Sequence, residues 1–524
     1  MTSTSRFPFA LSNPLSAFLD KEPNEFTRAD LLKVIEQKGL ERITFHYTAL
    51  DGQLKELKLP VADAIQAETN LAEGERVDGS SLFKGMVETA MSDLYVVPVY
   101  STAFLNPFDD RSLDFVCRYF NKDGALAPFA PDNILARAYD LFRKSTGLEL
   151  RALGEIEFYL LSEGSREIFP PRHQKGYHNA PPFAKTGLIA NEILRRITQI
   201  TGAVKYVHNE VGYVDSVRSE MPEIRDKRAE QLEVEFLPRP VTEAADATVI
   251  GRWLVRNVAW QHGCVATFVP KLEEGVAGTG LHFHLELRKD GRNIMAGPDG
   301  ALTAEARRLV GGLCRYAESL TAFGNTTSSA YLRLVPNQEA PTYVCWSDLN
   351  RSAMIRVPLG WSRNRHLARA LNPADTAPYN SSDSRQTVEI RTPDGSALIH
   401  LLLAGIVMSA DWAFQKDGVF YGNGPRPEDL AEALYVKGDI FADKDRLSRL
   451  TSLPSSCVAS SRILLRDRAL YERKGVFPPS VVDFVARLLQ KENDELMNKT
   501  LDALPADDRL VEMRKIMHKD LHRH

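Results

Sequence analysis

The chain has 524 residues, enough for two or three domains, and its hydrophobic (44%) and charged (26%) contents are those of a folded globular protein. A formal net charge of -4 gives no sign of the basic surface that nucleic acids require, so no nucleic-acid partner is expected. The first residues lack a basic segment followed by an apolar core, and the five cysteines contain no CxxC pair, which together predict a cytoplasmic protein with reduced thiols.

The first predicted elements are a helix and a hairpin in a small N-terminal domain. After a loose polar arm, residues 26–60 show the pattern of a helix, a strand (RITFHYT), a turn at Asp51-Gly52 and a returning strand (LKELKLP). This pattern predicts an α+β domain over residues 15–125, ending near the proline-rich segment LAPFAPDN. A helix, ILARAYDLFRKS, then opens a large α/β domain over residues 126–524, in which strands and helices alternate.

Four predicted strands of the large domain carry ionisable side chains on one face and apolar side chains on the other. In chain order, the polar positions are Glu155 and Glu157; Gln231, Glu233 and Glu235; His282, His284 and Glu286; and Glu389 and Arg391. One such strand is typical of a solvent-facing surface. Four of them, including a His-x-His between large apolar residues, indicate side chains that converge on one cavity.

The longest apolar stretch follows these strands, from Ala397 to Phe414. It contains His400 and Asp411 and is shorter than the roughly 20 apolar residues that a membrane span needs. We therefore predict a buried helix here and no membrane partner.

The residue types on the polar faces favour a particular chemistry. Carboxylates with one or two imidazoles suit Mg²⁺ or Mn²⁺, whereas zinc more often takes cysteines or several histidines. Several carboxylates around one cavity indicate two or more cations, because unpaired buried carboxylates repel each other. Clustered cations with nearby arginines, here Arg333, Arg351 and Arg356, are the usual apparatus of phosphoryl transfer. The sequence contains no Walker-type phosphate loop.

Short blocks along the chain resemble the successive signature motifs of glutamine synthetases. In order, they are VDGSS, GEIEF, NEV, the segment from Gln231 to Glu233, GTGLHFH, RLVPNQEAP, NRSAMIR and VEIRTPD. The resemblance implies an α+β protein with an N-terminal β-grasp domain and a large catalytic domain, in which helices surround a curved antiparallel sheet. It also implies a homo-oligomer, a dodecamer of two hexameric rings, with active sites shared between subunits.

The resemblance further implies an ATP-dependent ligase. Such an enzyme joins ammonia or an amine to the γ-carboxylate of L-glutamate through a γ-glutamyl phosphate, with ATP as co-substrate and Mg²⁺ or Mn²⁺ as cofactor. The ligands of the metal that shields the substrate carboxylate are matched by Glu157, Glu210 and Glu233. The ligands of the metal bound to the nucleotide phosphates are matched by Glu155, His282 and Glu389.

Other matched positions imply substrate contacts. The glutamate contacts are matched by Gly278, Arg333, Arg391 and Glu339, and the phosphate-side contacts by His284, Arg351 and Arg356. The ammonium pocket is matched by Asp78, Ser81, Tyr177 and Glu210, with Asp78 as the general base. Asp78 and Ser81 are expected to reach the active site of the neighbouring subunit, and Glu339 is expected on a flap that keeps water out.

Some positions depart from the family's pattern. Ala277 stands where Asn is usual, Glu286 where Ser is frequent, and Lys205 where a Glu often contacts the nucleotide. Between Glu210 and Glu233 the chain carries an insertion, residues 213–229, which fits a neutral surface loop as well as a reshaped amine entrance.

These departures leave the amine open. Ammonium is the default nucleophile, and a larger organic amine, such as a polyamine, alkylamine or arylamine, is the alternative. A non-catalytic structural homologue is a further alternative, which the retention of ligand-competent residues at all six metal-ligand positions disfavours.

Overall fold

Two β-sheets organise the chain, each covered by helices. The computed structural model describes residues 6–87, 92–164, 168–335, 340–360, 367–379, 383–415, 424–438, 440–441 and 444–523. Within these ranges, none of the helices combines the length and the apolar character that crossing a membrane would require.

The first sheet belongs to the N-terminal region. Its strands are β1 (Arg42–Thr48), β2 (Leu54–Pro60), β3 (Glu75–Asp78), β4 (Asp93–Pro98), β5 (Phe104–Leu105) and β6 (Ser112–Phe120). They lie in the order β2-β1-β6-β4-β3, with β5 beside β6. Strands β1 and β2 form the predicted antiparallel hairpin, and β1 runs parallel to β6.

Helices pack against this sheet and along its edges. They are α1 (Pro14–Leu19), α2 (Arg28–Lys38), α3 (Ala64–Glu73) and α4 (Gly79–Leu82). The predicted helix α2 begins where Thr27 and Asp30 each cap the other's backbone N–H, and it ends at Gly39, whose φ of 60° places it in the left-handed region. These local signals explain why a helix precedes the hairpin.

The second sheet carries the candidate site. Its strands are β7 (Glu149–Ser162), β8 (Val204–Val214), β9 (Arg228–Phe236), β10 (Arg239–Pro240), β11 (Val265–Thr267), β12 (Leu281–Lys289), β13 (Arg292–Asn293), β14 (Trp346–Asp348), β15 (Ile355–Val357) and β16 (Val388–Ile390). Their order is β14-β15-β16-β12-β7-β9-β8, with β10 and β11 also paired to β7 and β13 to β12. The four central strands of this path, β16, β12, β7 and β9, are the four strands predicted to carry ionisable faces, and each is antiparallel to its neighbour in this order.

Helices surround the apolar side of this sheet. They are α5 (Pro131–Thr146), α6 (Gly187–Thr201), α7 (Val241–Gln261), α8 (Ala304–Gly324), α9 (Ala330–Arg333), α10 (Ile399–Ala413), α11 (Pro427–Ala433), α12 (Lys444–Leu447), α13 (Cys457–Arg466), α14 (Arg468–Glu472), α15 (Pro479–Gln490), α16 (Met497–Asp502) and α17 (Ala506–His518). Helix α10 is buried along its whole length, which confirms the prediction for the longest apolar stretch.

Candidate active site

A cavity of about 240 Å³ opens on the polar face of the second sheet. Predicted site residues from distant parts of the chain line it together: Glu155, Glu157, Tyr177, Glu210, Glu233, Gly278, His282, His284, Arg333, Arg351, Arg356 and Arg391. Glu389, which is fully buried, lies against this group through its contacts with His282 and Arg391. The predicted metal-ligand and substrate positions that lie in the described part of the second domain therefore share one site.

Strand register brings the ionisable side chains together. Across the ladders, Glu157 of β7 lies opposite Glu233 of β9, and Glu155 of β7 lies opposite His282 of β12. Residues directly opposite each other on antiparallel strands have Cβ atoms about 5 Å apart. Antiparallel pairing thus converts the polar positions of separate strands into one contiguous cluster.

The first compact group is formed by Glu155, His282 and Glu389, whose donor atoms all lie within 4.8 Å of one another. His282 Nδ1 is 3.0 Å from a Glu155 oxygen and 3.6 Å from a Glu389 oxygen. Burial raises the pKa of Glu389, but the charges of Arg391, His284 and His282 together outweigh it, and the pKa is lowered. Burial likewise opposes ionisation of Glu155, whose pKa the charges of His284 and His282 nevertheless hold well below its usual value. Both carboxylates therefore favour the charged form that binds cations, and these are the three residues predicted for the nucleotide-side metal.

The second compact group is formed by Glu210, Glu233 and His208, again with donor atoms within 4.8 Å. His208 Nε2 lies 3.2 Å from Glu233 and Nδ1 lies 3.8 Å from Glu210. Burial, together with Glu157 and Glu233, raises the pKa of Glu210 to about 8, and burial raises the pKa of Glu233 well above its usual value. Such raised values mark carboxylates that lack enough positive charge around them.

His208 was not among the predicted residues, although a signal was available. It stands two residues before Glu210 on β8, so the period of a strand puts both on the same face. Glu157, predicted as the third ligand of this group, lines the same cavity, but one of its oxygens accepts from the Gly280 N–H at 2.7 Å and from the Gln231 amide at 3.2 Å. Its role as a ligand stays a prediction.

A third group, Glu155, Glu235 and His284, shares Glu155 with the first. Although burial lowers the pKa of His284, the charge of Glu155, 2.9 Å from its Nε2, raises that pKa to about 9. Lys205, at the position where the family often has Glu, donates to Glu235 at 2.6 Å. The unusual lysine is therefore paired with a carboxylate on the adjacent strand.

Arginines provide the positive charge of the site. Arg391 and Arg356 both contact Glu389, and the Arg356 NH1 lies 2.8 Å from its carboxylate. Arg333 is 4% exposed and donates to the backbone carbonyls of Thr392 and Arg391. Arg351 is exposed at the rim of the cavity. Several guanidinium groups therefore lie beside carboxylates, and both positively and negatively charged side chains line the cavity.

Gly278 lies at the end of a segment, residues 269–278, that we call the Gly278 loop. A Cβ at Gly278 would lie 2.7 Å from both Arg333 Cγ and the Pro270 carbonyl oxygen, so no larger residue fits without displacing backbone. The Gln231 amide donates to the Gly278 carbonyl at 2.9 Å, and the Tyr159 hydroxyl donates to the Ala277 carbonyl at 2.7 Å. The sheet thus fixes the cavity end of this loop.

Aromatic rings lie beside the second group. Tyr177 is about half exposed, and its ring stacks on His178 with centroids 4.2 Å apart. His178 lies 4.2 Å from His208, Tyr206 lies 5.4 Å from it, and the Tyr177 ring itself lies 5.6 Å from it. The predicted amine-side residue Tyr177 therefore belongs to an aromatic cluster around His208, a member of the second group.

The remaining predicted residues lie elsewhere. Asp78 and Ser81 are exposed at the start of α4 in the N-terminal region and are not part of the cavity lining. Hydrogen bonds from the Ser81 and Ser80 hydroxyls lower the pKa of Asp78 to about 2. Glu339 lies outside the described residues. Glu286 is buried, and its charge is satisfied by Arg288 at 3.0 Å and the Asn293 amide at 2.7 Å.

Comparisons with known protein families match the N-terminal region and the larger second region of the chain separately. The family model described as "Glutamine synthetase, beta-Grasp domain" matches residues 39–122, and "Glutamine synthetase, catalytic domain" matches residues 129–503. A glutamine synthetase of Pyrococcus horikoshii is 30% identical over 431 residues, which cover 78% of this chain and 86% of the relative. One of Thermococcus kodakarensis is 29% identical over 491 residues, covering 91% and 97%.

Solved structures show the same fold. The cryo-EM structure of Plasmodium falciparum glutamine synthetase superposes with a TM-score of 0.69 at 18% identity, over 92% of this chain and 98% of that one. A ligand-free GmaS structure gives a TM-score of 0.68 at 21% identity, again over 92% and 98%. These matches confirm the predicted fold, with its N-terminal β-grasp domain and large catalytic domain.

Proposed function

The chain belongs to the glutamine synthetase family, and from this premise we propose that it joins ammonia or an amine to the γ-carboxylate of L-glutamate at the expense of ATP. The observation that supports this proposal most is the pair of carboxylate–imidazole groups around one cavity, Glu155–His282–Glu389 and His208–Glu210–Glu233. A structural homologue without turnover would have no need to bury carboxylates whose mutual repulsion raises their pKa.

The donor sets fit Mg²⁺ or Mn²⁺. They are mostly carboxylates, and burial and like charges raise the pKa of Glu210 and Glu233. Cations bound there would supply positive charge that neutralises the charge developing during phosphoryl transfer. Glu155, His282 and Glu389 would hold the nucleotide-side cation, while Glu210 and Glu233, with Glu157 or His208, would hold the cation beside the substrate carboxylate.

The proposed reaction has two steps. A carboxylate is a poor acyl donor, so an oxygen of the glutamate γ-carboxylate first attacks the γ-phosphorus of ATP, and ADP leaves. The amine nitrogen then attacks the acyl carbon, the carbon–oxygen bond to phosphate breaks, and inorganic phosphate leaves as the nitrogen loses its proton. Arg351 and Arg356 would face the transferred phosphoryl group, and Arg333, Arg391 and Gly278 would hold the amino-acid end of glutamate.

Proton removal is assigned to a neighbouring subunit. Asp78 and Ser81 lie away from the cavity of their own chain, exposed on the N-terminal domain. In a ring oligomer these residues would face the next subunit's Tyr177 and Glu210. A carboxylate there would attract a cationic amine and then accept its proton. Glu339, by its family match, would belong to the flap over this site.

A larger primary amine is the second candidate nucleophile. Tyr177 and His208, which line the cavity, offer rings to the carbon part of an alkylammonium ion, and Ala277 is smaller than the Asn usual in the family. The carboxylates of the pocket favour a cation whichever amine is used, so an arylamine, largely neutral at pH 7, is the least suited.

A phosphate-release assay tests the proposal. Metal-loaded protein is supplied with ATP, L-glutamate and one amine at a time from ammonium, methylamine, putrescine and aniline. We expect release that depends on both glutamate and a cationic amine, and in Asp78→Asn most of that rate should be lost. An identical rate without glutamate would refute the proposed function, and a rate led by aniline would refute the charge argument for the amine pocket.

A further inference from the structure

The C-terminal tail is fixed against the catalytic domain close to the candidate site. Leu521, 1% exposed, packs in an apolar cluster with Val217 and Ile224 of the insertion. Its backbone carbonyl accepts a hydrogen bond from the Thr267 hydroxyl at 2.9 Å. The insertion therefore does not project into solvent as a neutral loop, because its apolar side chains cover the end of the chain.

The same apolar cluster includes the Gly278 loop. Val269, Leu272 and Val276 are all nearly inaccessible and pack in this cluster. Within the loop, the buried Lys271 donates to the carbonyl of Val276 at 2.5 Å. The insertion, the C-terminal tail and the loop that leads to the cavity thus share one small core.

His518, at the end of α17, connects these three parts directly. Its Nε2 lies 2.9 Å from the Leu272 carbonyl oxygen, and its Nδ1 lies 3.0 Å from the Ser219 hydroxyl of the insertion. A carbonyl oxygen only accepts, so Nε2 carries the proton and Nδ1 accepts from Ser219. Burial lowers the pKa of His518, which is 4% exposed, and this keeps the ring neutral.

Arg514, one turn earlier on α17, makes a second link to the loop. Its Nε lies 3.0 and 2.9 Å from the two carboxylate oxygens of Glu273. A guanidinium–carboxylate contact of this kind fixes orientation as well as distance. The Gly278 loop is consequently held at both ends, by α17 near its start and by Tyr159 and Gln231 at the cavity.

We propose that His518 is a positioning residue for glutamate, acting through the Gly278 loop. This inference rests on the proposed function, in which Gly278 and Arg333 contact glutamate. The close approach of Gly278 to Arg333 means that a shift of the loop displaces a substrate contact rather than being absorbed by empty space. We call the contacts of His518 and Arg514 with the Gly278 loop and with Ser219 the brace. The insertion takes part in it because the Ser219 hydroxyl orients the His518 ring.

Four variants test the brace. His518→Ala removes both hydrogen bonds, and His518→Gln keeps an N–H donor near the Nε2 position. Ser219→Ala removes the link between His518 and the insertion, together with the hydrogen bond that the Ser219 hydroxyl accepts from the Met221 N–H. Glu512→Gln is the matched control, because Glu512 is half exposed on the same helix and pairs with Lys515 of that helix. The measurements are kcat, the KM values for glutamate and ATP, and hydrogen–deuterium exchange of residues 269–278 in the assembled, metal-loaded protein.

In His518→Ala we expect the KM for glutamate to rise about five- to tenfold, the size of effect that corresponds to the buried hydrogen bond to the Leu272 carbonyl, the one of the two that reaches the Gly278 loop, with the KM for ATP nearly unchanged. His518→Gln should restore most of the affinity, Ser219→Ala should show a smaller rise in the KM for glutamate, and Glu512→Gln should match wild type. Hydrogen–deuterium exchange of residues 269–278 should be faster in His518→Ala than in any of the other variants.

Two results would overturn the inference. One is unchanged loop exchange in His518→Ala. The other is a proportional loss of kcat and both affinities that His518→Gln fails to rescue, because that pattern reports general destabilisation. Failure of the proposed function gives a different signature, since wild type itself would then show no glutamate-dependent phosphate release, and the exchange measurement would still decide whether the brace exists.

Discussion

Replacing Glu210 by Gln should stabilise the metal-free protein. Glu210 is buried beside Glu157 and Glu233, and these surroundings raise its pKa from 4.5 to about 8. Between pH 4.5 and 8 the folded protein therefore holds a proton that the unfolded chain has released. The free energy of unfolding accordingly falls as pH rises through this window, and the stability contributed by protonated Glu210 is complete only below pH 4.5.

The size of the effect follows from the same values. Each pH unit within the window lowers the free energy of unfolding by about 1.4 kcal/mol, so by pH 7 the free energy of unfolding has fallen by about 3 kcal/mol. Gln keeps the shape and an oxygen that can accept from the Val211 N–H, but it carries no charge. Glu210→Gln should thus raise the free energy of unfolding by about 1–3 kcal/mol at pH 7 in EDTA, and by much less at pH 5.

Urea denaturation of both proteins at pH 5, 7 and 8, with EDTA or with saturating Mn²⁺, measures this difference. With metal the order should reverse, because a cation bound by the folded state stabilises wild type more than a variant that has lost a ligand. The matched control is Glu56→Gln, a substitution of a half-exposed carboxylate on β2. A Glu210→Gln protein that is less stable than wild type in EDTA at pH 8 would refute the reasoning.

Three further predictions concern metal binding and assembly. Mn²⁺ binding at pH 7 should release more protons from wild type than from Glu210→Gln, because the raised pKa leaves Glu210 protonated without metal. Calorimetry in buffers of different ionisation enthalpy measures the number of protons released, and equal release from the two proteins would contradict the prediction. Glu389→Gln should lower turnover about a hundredfold or more while the circular dichroism spectrum stays unchanged, whereas a lost spectrum would show that Glu389 serves the fold instead. Asp78→Asn and Glu389→Gln should each be inactive alone. Oligomers that mix the two variants should recover about one quarter of wild-type activity if each site combines Asp78 of one subunit with Glu389 of the next. No recovery would mean that both residues belong to the site of one chain.

The alternation of residue types predicted which face of each strand is polar, but it did not predict the distances between the polar faces of different strands. Alternation alone identified Glu155, Glu157, Glu233 and His282, because a strand has only two sides. His208 was not predicted because it lies one residue before the NEV block and so outside the matched motif. The pairing of Lys205 with Glu235 also escaped, since it depends on which strands are neighbours.

Contacts between distant segments were beyond prediction for a related reason. Glu286 looked unsuited to a phosphate site, yet Arg288 and Asn293 satisfy its charge. No local pattern in the tail indicated that His518 would meet Leu272, 246 residues earlier in the chain. Such contacts are set by tertiary packing, which single-sequence periodicity does not encode.

The opposed faces of β7, β9 and β12 also constrain how this protein can change over evolution. On β12, His282 and His284 face the cavity, while Phe283 and Leu285 are fully buried on the other side. A substitution at a cavity position alters the chemistry and leaves the core residues in place. An insertion or deletion of one residue exchanges the two sets, sending imidazoles into the core and an aromatic ring into the active site. New amine specificities are therefore accessible through point substitutions in these strands, and changes in length are confined to connections between strands, such as residues 215–227 between β8 and β9.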